Sequence, residues 1–266
     1  MTMRLERIVR HVYGEGRAYL SETDSPLLRD YVHDLGALWG VEPRAGLLTE
    51  TVRTSYAEMV EDLVPRLDLP DRPVDVVAIA GSAPDADVLR SPTSVLTELV
   101  PGAPLPLGVT DQGSAGPFTA LRIVQGYRPE RAILMVLDQS RLWYDLPLGP
   151  EQRPDVDCGV ALVFGPSGVA NGFTVERRTD VAPGDLASLI PAGDHCLIAG
   201  NGLRGHVPED VTEDAAEVRF APSGQPCTGV WQTLAEALPD WRGRRVVIAE
   251  YDPVLRYLSL CTVEVE

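Results

Sequence analysis

A chain of 266 residues with 44% hydrophobic content is long enough to bury a large core, and its length admits one or two domains. The formal net charge of −16 and pI of about 4.6 repel nucleic acid and anionic membrane, so neither is an expected partner. All 23 basic residues are arginine, which removes Schiff-base chemistry, the phosphate lysine of a P-loop and any lysine general base together.

No stretch near 18 consecutive apolar residues occurs, and the opening MTMRLERIVRH carries charge where a signal peptide needs an apolar run. A soluble cytoplasmic protein is expected. Cys158, Cys196, Cys227 and Cys261 are widely spaced, with no C-x-x-C pair and no histidine at ligand spacing. Buried thiols are therefore expected, and neither a metal nor a cofactor is.

In chain order, the first segment, Leu5 to Leu20, contains VYGEGRAYL, a strand-like run interrupted by Gly14 and Gly16; Tyr19 stands where a dinucleotide fingerprint would need its third glycine. Ser25 to Gly36 predicts a helix with Ser25 as N-cap, Pro26 at the first position, and Leu27, Leu28, Tyr31, Val32 and Leu35 on one face. Thr51 to Leu67 predicts an amphipathic helix with Val52, Tyr56, Met59, Val60, Leu63 and Val64 inward, closed by Pro65 and Pro70. Val74 to Ala80, rich in β-branched residues and nearly free of charge, predicts a strand buried on both faces. Ser91 to Leu99 is a further helix.

Leu105 to Tyr127, LPLGVTDQGSAGPFTALRIVQGY, is the organising stretch: a short strand to Val109, a tight turn at Asp111 to Gly113, then a helix carrying Phe118, Leu121, Ile123 and Val124. Ser114 stands at the helix entrance with Pro117 in the first turn, which suits an N-cap hydroxyl. That reading is sufficient on its own; the sharper one is a nucleophile, because free N–H groups and the helix dipole favour negative charge there. A serine needs a base within reach, however, and Gln112 breaks the G-x-S-x-G elbow pattern. Arg131 to Leu137 and Asp157 to Gly165 predict two more buried strands. The second part repeats the beat in shorter form: a helical turn at Asp185 to Leu189, a strand His195 to Ala199, a helix Val230 to Leu238, and strands Val246 to Glu250 and Leu258 to Val265. The alternation predicts a layered α/β sheet.

Several of these stretches, in order, resemble the thiolase superfamily, and above all the ketoacyl-acyl-carrier-protein synthase III branch of condensing enzymes. GEGRAYL is similar to the opening G-x-G-x-Y-L-P, and VDVVAIAGSAPDADVLRSPTSVL to the following strand, loop and helix start. GSAGPFTALRI is similar to the A-C-x-G-F-x-x-A-L nucleophile segment, RAILMVLDQS to the strand after it, and DCGVALVFG to the G-D-G-A-G-A-x-x-L strand. CLIAGNGL sits where the family has P-H-Q-A-N, and Gln225 to Val265 resembles the closing helix and two strands. The resemblance implies an α/β fold of five layers, α-β-α-β-α, in two similar halves with mixed sheets, 1–165 and 166–266, packed as one shortened unit.

It also implies departures. Where the family has its acyl-holding cysteine this chain reads Ser114, or Gly113 one register away. The histidine position falls on Gly200, beside Asn201, and the asparagine position near Gly224. The glycine-rich turn before the last strand is replaced by YDPVLRY, Tyr251 to Tyr257. Condensation needs the missing residues as a unit, so its loss is expected. The leading expectation is a non-catalytic subunit that partners an active ketosynthase-like enzyme, or itself, as a dimer in polyketide, fatty-acid-like or other secondary metabolism. An alternative is a Ser114-dependent acyltransferase or thioester hydrolase, with Asp111, His195 or, best placed, His206 as base. Another is a scaffold that holds a carrier protein or an acyl chain without chemistry, with Arg242, Arg244 and Arg245, or Arg177 and Arg178, as the docking patch; acyl carrier protein or acyl-CoA is the expected small partner.

Overall fold

The computed structural model describes residues 3–14, 17–18, 26–43, 52–85, 87, 89–140, 144, 148–204, 206 and 215–266. Its strands are β1 (Arg4–Val12), β2 (Arg17–Ala18), β3 (Val52–Arg53), β4 (Val76–Gly81), β5 (Leu105–Val109), β6 (Ala132–Asp138), β7 (Cys158–Gly165), β8 (Ala170–Arg178), β9 (Cys196–Ala199), β10 (Glu217–Phe220), β11 (Arg245–Asp252) and β12 (Tyr257–Val265). The helices are α1 (Pro26–Trp39), α2 (Tyr56–Arg66), α3 (Pro92–Leu99), α4 (Gly116–Tyr127), α5 (Leu186–Leu189) and α6 (Gly229–Ala237).

Ten strands form one mixed sheet in the order β10-β9-β11-β12-β8-β1-β7-β6-β4-β5. Numbered within their own sets, β1, β4, β5, β6 and β7 stand in the spatial order 3-2-4-5-1, and so do β8 to β12. In each set the strands ranked 3, 2 and 4 are parallel, and the fifth runs antiparallel to both of its neighbours. The sets join where β1 meets β8, at Leu5 and Ala170.

Side-chain alternation builds the layers. Val76, Ala78 and Ala80 of β4 and Val246 and Ile248 of β11 face a shared core with α4 and α6. The residues between them face outward, Val77 and Ile79 onto α2 and α3, Val247 and Ala249 onto the cluster around Leu186 of α5. The result is a five-layer α-β-α-β-α fold with α4 and α6 in the middle. Every residue of β4, β6 and β7 is buried, as expected of strands covered on both faces. Phe118 of α4 and Trp231 of α6 meet at 5.3 Å between ring centroids, a contact worth about 0.5–1.5 kcal/mol beyond its area.

Several expectations are corrected. The helix expected from Thr51 starts at Tyr56, because Ser55 and Glu58 form a capping box and the preceding Val52–Arg53 pairs with Arg17–Ala18. Pro65, expected to close that helix, is its penultimate residue. Tyr31 and Ile123, grouped with the apolar positions of their helices, are exposed, whereas Val32, Phe118, Leu121 and Val124 are buried. Ser25, the expected cap of α1, lies outside the described residues. Strands β8 and β10 escape the sequence pattern: ANGFTVERR is half-exposed, and EVRF is an edge strand held by Arg219 to Glu217 and Asp240. The four cysteines are free and buried. No helix among the described residues is long and apolar enough to cross a membrane.

Candidate functional site

The carboxyl ends of β6, β9 and β11 and the entrances of α4 and α6 converge on one place. Between β5 and α4 the chain makes a 3-10 turn, Gly113–Ala115. Gly113 sits at φ +49°, and a Cβ there would run into the Asp252 carboxylate at the end of β11. The Cys227 thiol donates to Gly113 O at 3.2 Å.

Ser114 is buried but does not cap α4. The extra turn makes Ala115 the cap residue, without a side-chain bond, and Pro117 removes one of the donors that a cap would serve. Among the described residues no hydrogen bond joins Ser114 Oγ to a histidine or a carboxylate. His195 is buried just before β9, five residues and roughly 16 Å of extended chain from Gly200 at the other end of that strand. Burial pushes its pKa down. His206 is exposed, its backbone N–H donating to Leu203 O. Asp111 is exposed in the left-handed region and accepts from Thr110 Oγ1.

Gly200, Asn201 and Gly224, the other positions singled out by the resemblance, make contacts of their own. Gly200 lies against Glu250, whose Oε1 accepts from Gly202 N at 3.1 Å and Tyr251 N at 3.0 Å. Asn201 Nδ2 donates to Pro222 O at 2.7 Å, and its Oδ1 accepts from Arg204. Gly224, at φ +72°, packs on Asp155, whose N–H donates to Gly224 O.

Three buried carboxylates that the sequence reading passed over shape the electrostatics. Asp138, Glu250 and Asp252 are each no more than 3% exposed. Asp138 accepts from Cys227 N (3.1 Å), Thr228 N (2.8 Å) and Thr228 Oγ1 (2.7 Å), so it caps the entrance of α6 from the opposite half. Burial raises its pKa to about 6 against those bonds, and raises Glu250 to about 8. The Cys227 thiol is driven well up by burial and then by Asp138, Glu250 and Asp252, so it is no thiolate. A signal existed: each acid follows an apolar run, in RAILMVLD and VVIAEYD, where a charge at a strand end must find donors.

The surface arginines are largely neutralised. Arg244 pairs with Asp194 at 3.1 Å, Arg245 with Glu264 at 3.2 Å and Arg178 with Glu176 at 2.9 Å, while Arg242 is exposed. No group of three or more His, Cys, Asp or Glu among the described residues could hold a metal ion.

Neither a protein-family model nor a curated protein matches the sequence. Solved structures do. A tetronic acid condensing enzyme superposes with TM-score 0.63 at 15% identity, covering 99% of this chain and 100% of its own. An acyltransferase superposes with TM-score 0.63 at 11% identity, covering 100% and 98%. A 3-oxoacyl-(acyl carrier protein) synthase III from Pseudomonas aeruginosa superposes with TM-score 0.59 at 14% identity, covering 100% and 99%. At these identities the likeness is one of fold.

Proposed function

Starting from the thiolase-like fold of 3-oxoacyl-(acyl carrier protein) synthase III and related condensing enzymes, we propose that this chain is a non-catalytic ketosynthase-like subunit, its two halves 1–165 and 166–266 packed as one unit, that assembles with an active condensing enzyme. The observation that carries the reading is the electrostatics at the former reaction centre. Condensation passes through a thiolate and an enolate, both anionic, and needs donors aimed at them. Among the described residues no base hydrogen-bonds to Ser114, the nearby Cys227 is held as a thiol, and the acids Asp138, Glu250 and Asp252 crowd the same interior. Burial already holds Asp138 and Glu250 toward their neutral forms, and a further negative charge beside them would be costly.

A surface for a partner supports the same reading. β5 is an edge strand of uncharged sequence, LPLGV, with Leu105 42% exposed. Beside it α4 exposes Ile123 and Tyr127. An uncharged, apolar edge favours pairing with another chain even though Pro106 withholds one outward N–H, whereas the opposite edge, β10, is screened by its Arg219 ion pairs.

The test mixes the purified chain with cysteine-bearing condensing enzymes and reads mass by light scattering, with acetyl-CoA and malonyl-CoA turnover measured in parallel. A defined assembly, with no turnover by this chain alone, is expected. A monomer that binds no such enzyme, or an acyl adduct on Ser114 that Ser114→Ala abolishes, would overturn it.

A further inference from the structure

We propose that the flank of α4 beside Gly113 and Ser114 carries a binding site for a small oxyanion, a carboxylate or phosphate group, held by Arg177, Arg122 and Ser259. Arg177 is the next-to-last residue of β8. Its guanidinium donates to Thr119 Oγ1 and, at 3.4 Å, to Gln112 Oε1, and it stands 5.2 Å from the centre of the Tyr257 ring. Among the described residues no carboxylate pairs with it, and its Nε is buried with no acceptor. The charge it feels is that of Arg122, three residues beyond Thr119 on α4, which likewise has no carboxylate partner among the described residues. In a chain with 39 acidic residues against 23 basic ones, two adjacent cations without an acid are the exception. Like charges placed together and partly desolvated favour an anion between them.

A second observation comes from the neighbouring strand. Ser259 is the register partner of Arg177 across the β8–β12 ladder, so the two side chains rise from the same sheet face with Cβ atoms roughly 5 Å apart. Ser259 is fully buried, and its Oγ has no partner. On its other side Ser259 pairs in register with Glu250, whose Oε1 is already taken by the Gly202 and Tyr251 N–H groups. Two orphaned buried donors, an N–H of a cation and a hydroxyl, thus lie side by side on the face that supports the entrance of α4. The group that satisfies both is an acceptor with two oxygens and a negative charge, since a carboxylate or phosphate accepts from both at once. Burial and then Arg122 lower the proton affinity of Arg177 in the free protein, and a bound anion would reverse that.

This site does not depend on the partner-subunit reading, and it is tested on the chain alone. Thermal unfolding is followed in malonate and in inorganic phosphate, each against sodium chloride at equal ionic strength. A saturable rise in Tm with one or both oxyanions, and none with chloride, is expected; the tighter of the two identifies the group. Arg122→Gln, at an exposed position, raises the half-saturating concentration roughly tenfold, Ser259→Ala raises it several-fold, and Arg177→Gln abolishes the response. Should Arg177→Gln fail to fold by circular dichroism, the other two variants decide. No saturable response of the unmodified chain to either oxyanion, or equal responses from it, Arg122→Gln and Ser259→Ala, overturns the proposal.

Discussion

Asp138 and Asp252 hold the same place in the two halves, the last residue of the fourth strand in each set, and both are buried. They do different work. Asp138 crosses to the other half and takes three donors at the entrance of α6. Asp252 mainly holds its own turn, accepting from Val254 N at 3.0 Å and Leu255 N at 2.9 Å with only a long 3.4 Å bond from Gln152 Nε2, while its other oxygen lies against Gly113. The facing residue decides: Thr228 presents an N–H and a hydroxyl to Asp138, whereas Gly113 has no side chain and leaves just the room that the Asp252 carboxylate fills. One topological slot therefore yields a latch at the entrance of α6 in one case and a carboxylate packed on the turn before α4 in the other.

The latch should matter most. Asp138→Ala leaves Cys227 N and Thr228 N buried without acceptors, and we expect a loss of about 3–5 kcal/mol in urea unfolding, against about 1–2 kcal/mol for Asp138→Asn, which keeps an acceptor. Equal losses from the two variants would mean that volume rather than hydrogen bonding makes the latch.

Next comes pH. Asp138 rises from 3.8 to about 6 and Glu250 from 4.5 to about 8 on folding. Between pH 4 and 8 the unfolded chain therefore holds fewer of these protons than the folded one, so stability falls as pH rises, and the loss is complete above about pH 8. The urea midpoint should drop from pH 5 to pH 9, on the order of a few kcal/mol. Glu250→Gln should flatten the part between pH 6 and 8; an unchanged profile would show that Glu250 does not titrate there.

The packed carboxylate is the next step down. Gly113→Ala places a Cβ at positive φ against Asp252 and should cost about 2–3 kcal/mol. The same change made in an Asp252→Ala background should cost less, a coupling read from the double-mutant cycle. Additive losses would remove Asp252 from the account. The smallest effect belongs to Ser114→Ala, within about 0.5 kcal/mol and without loss of assembly, because its hydroxyl binds none of the acids or histidines around it. A larger loss would reveal a partner for that hydroxyl.

Much of the fold was legible in the chain. Runs such as VDVVAIA, RAILMVL and DCGVALVFG announce strands buried on both faces, because only sheets covered by helices tolerate such uncharged stretches, and the strand-turn-helix at Leu105 to Tyr127 could be placed by its period alone. The half-exposed β8 and the four-residue β10 could not, since their mixed sequences carry neither period. At the site, Gly113, Ser114, Gly200 and Gly224 could be singled out in the sequence, but what stands opposite them could not. Asp252 against Gly113, Glu250 against Gly200 and Ser259 beside Arg177 are pairs brought together by strand order and register, across separations that no local pattern reports. The amino-acid sequence by itself determined the buried strands and most of the helices. Only the tertiary structure decided which buried acids and orphaned donors share that interior, because burial and partners, rather than residue type, set what a polar group can do.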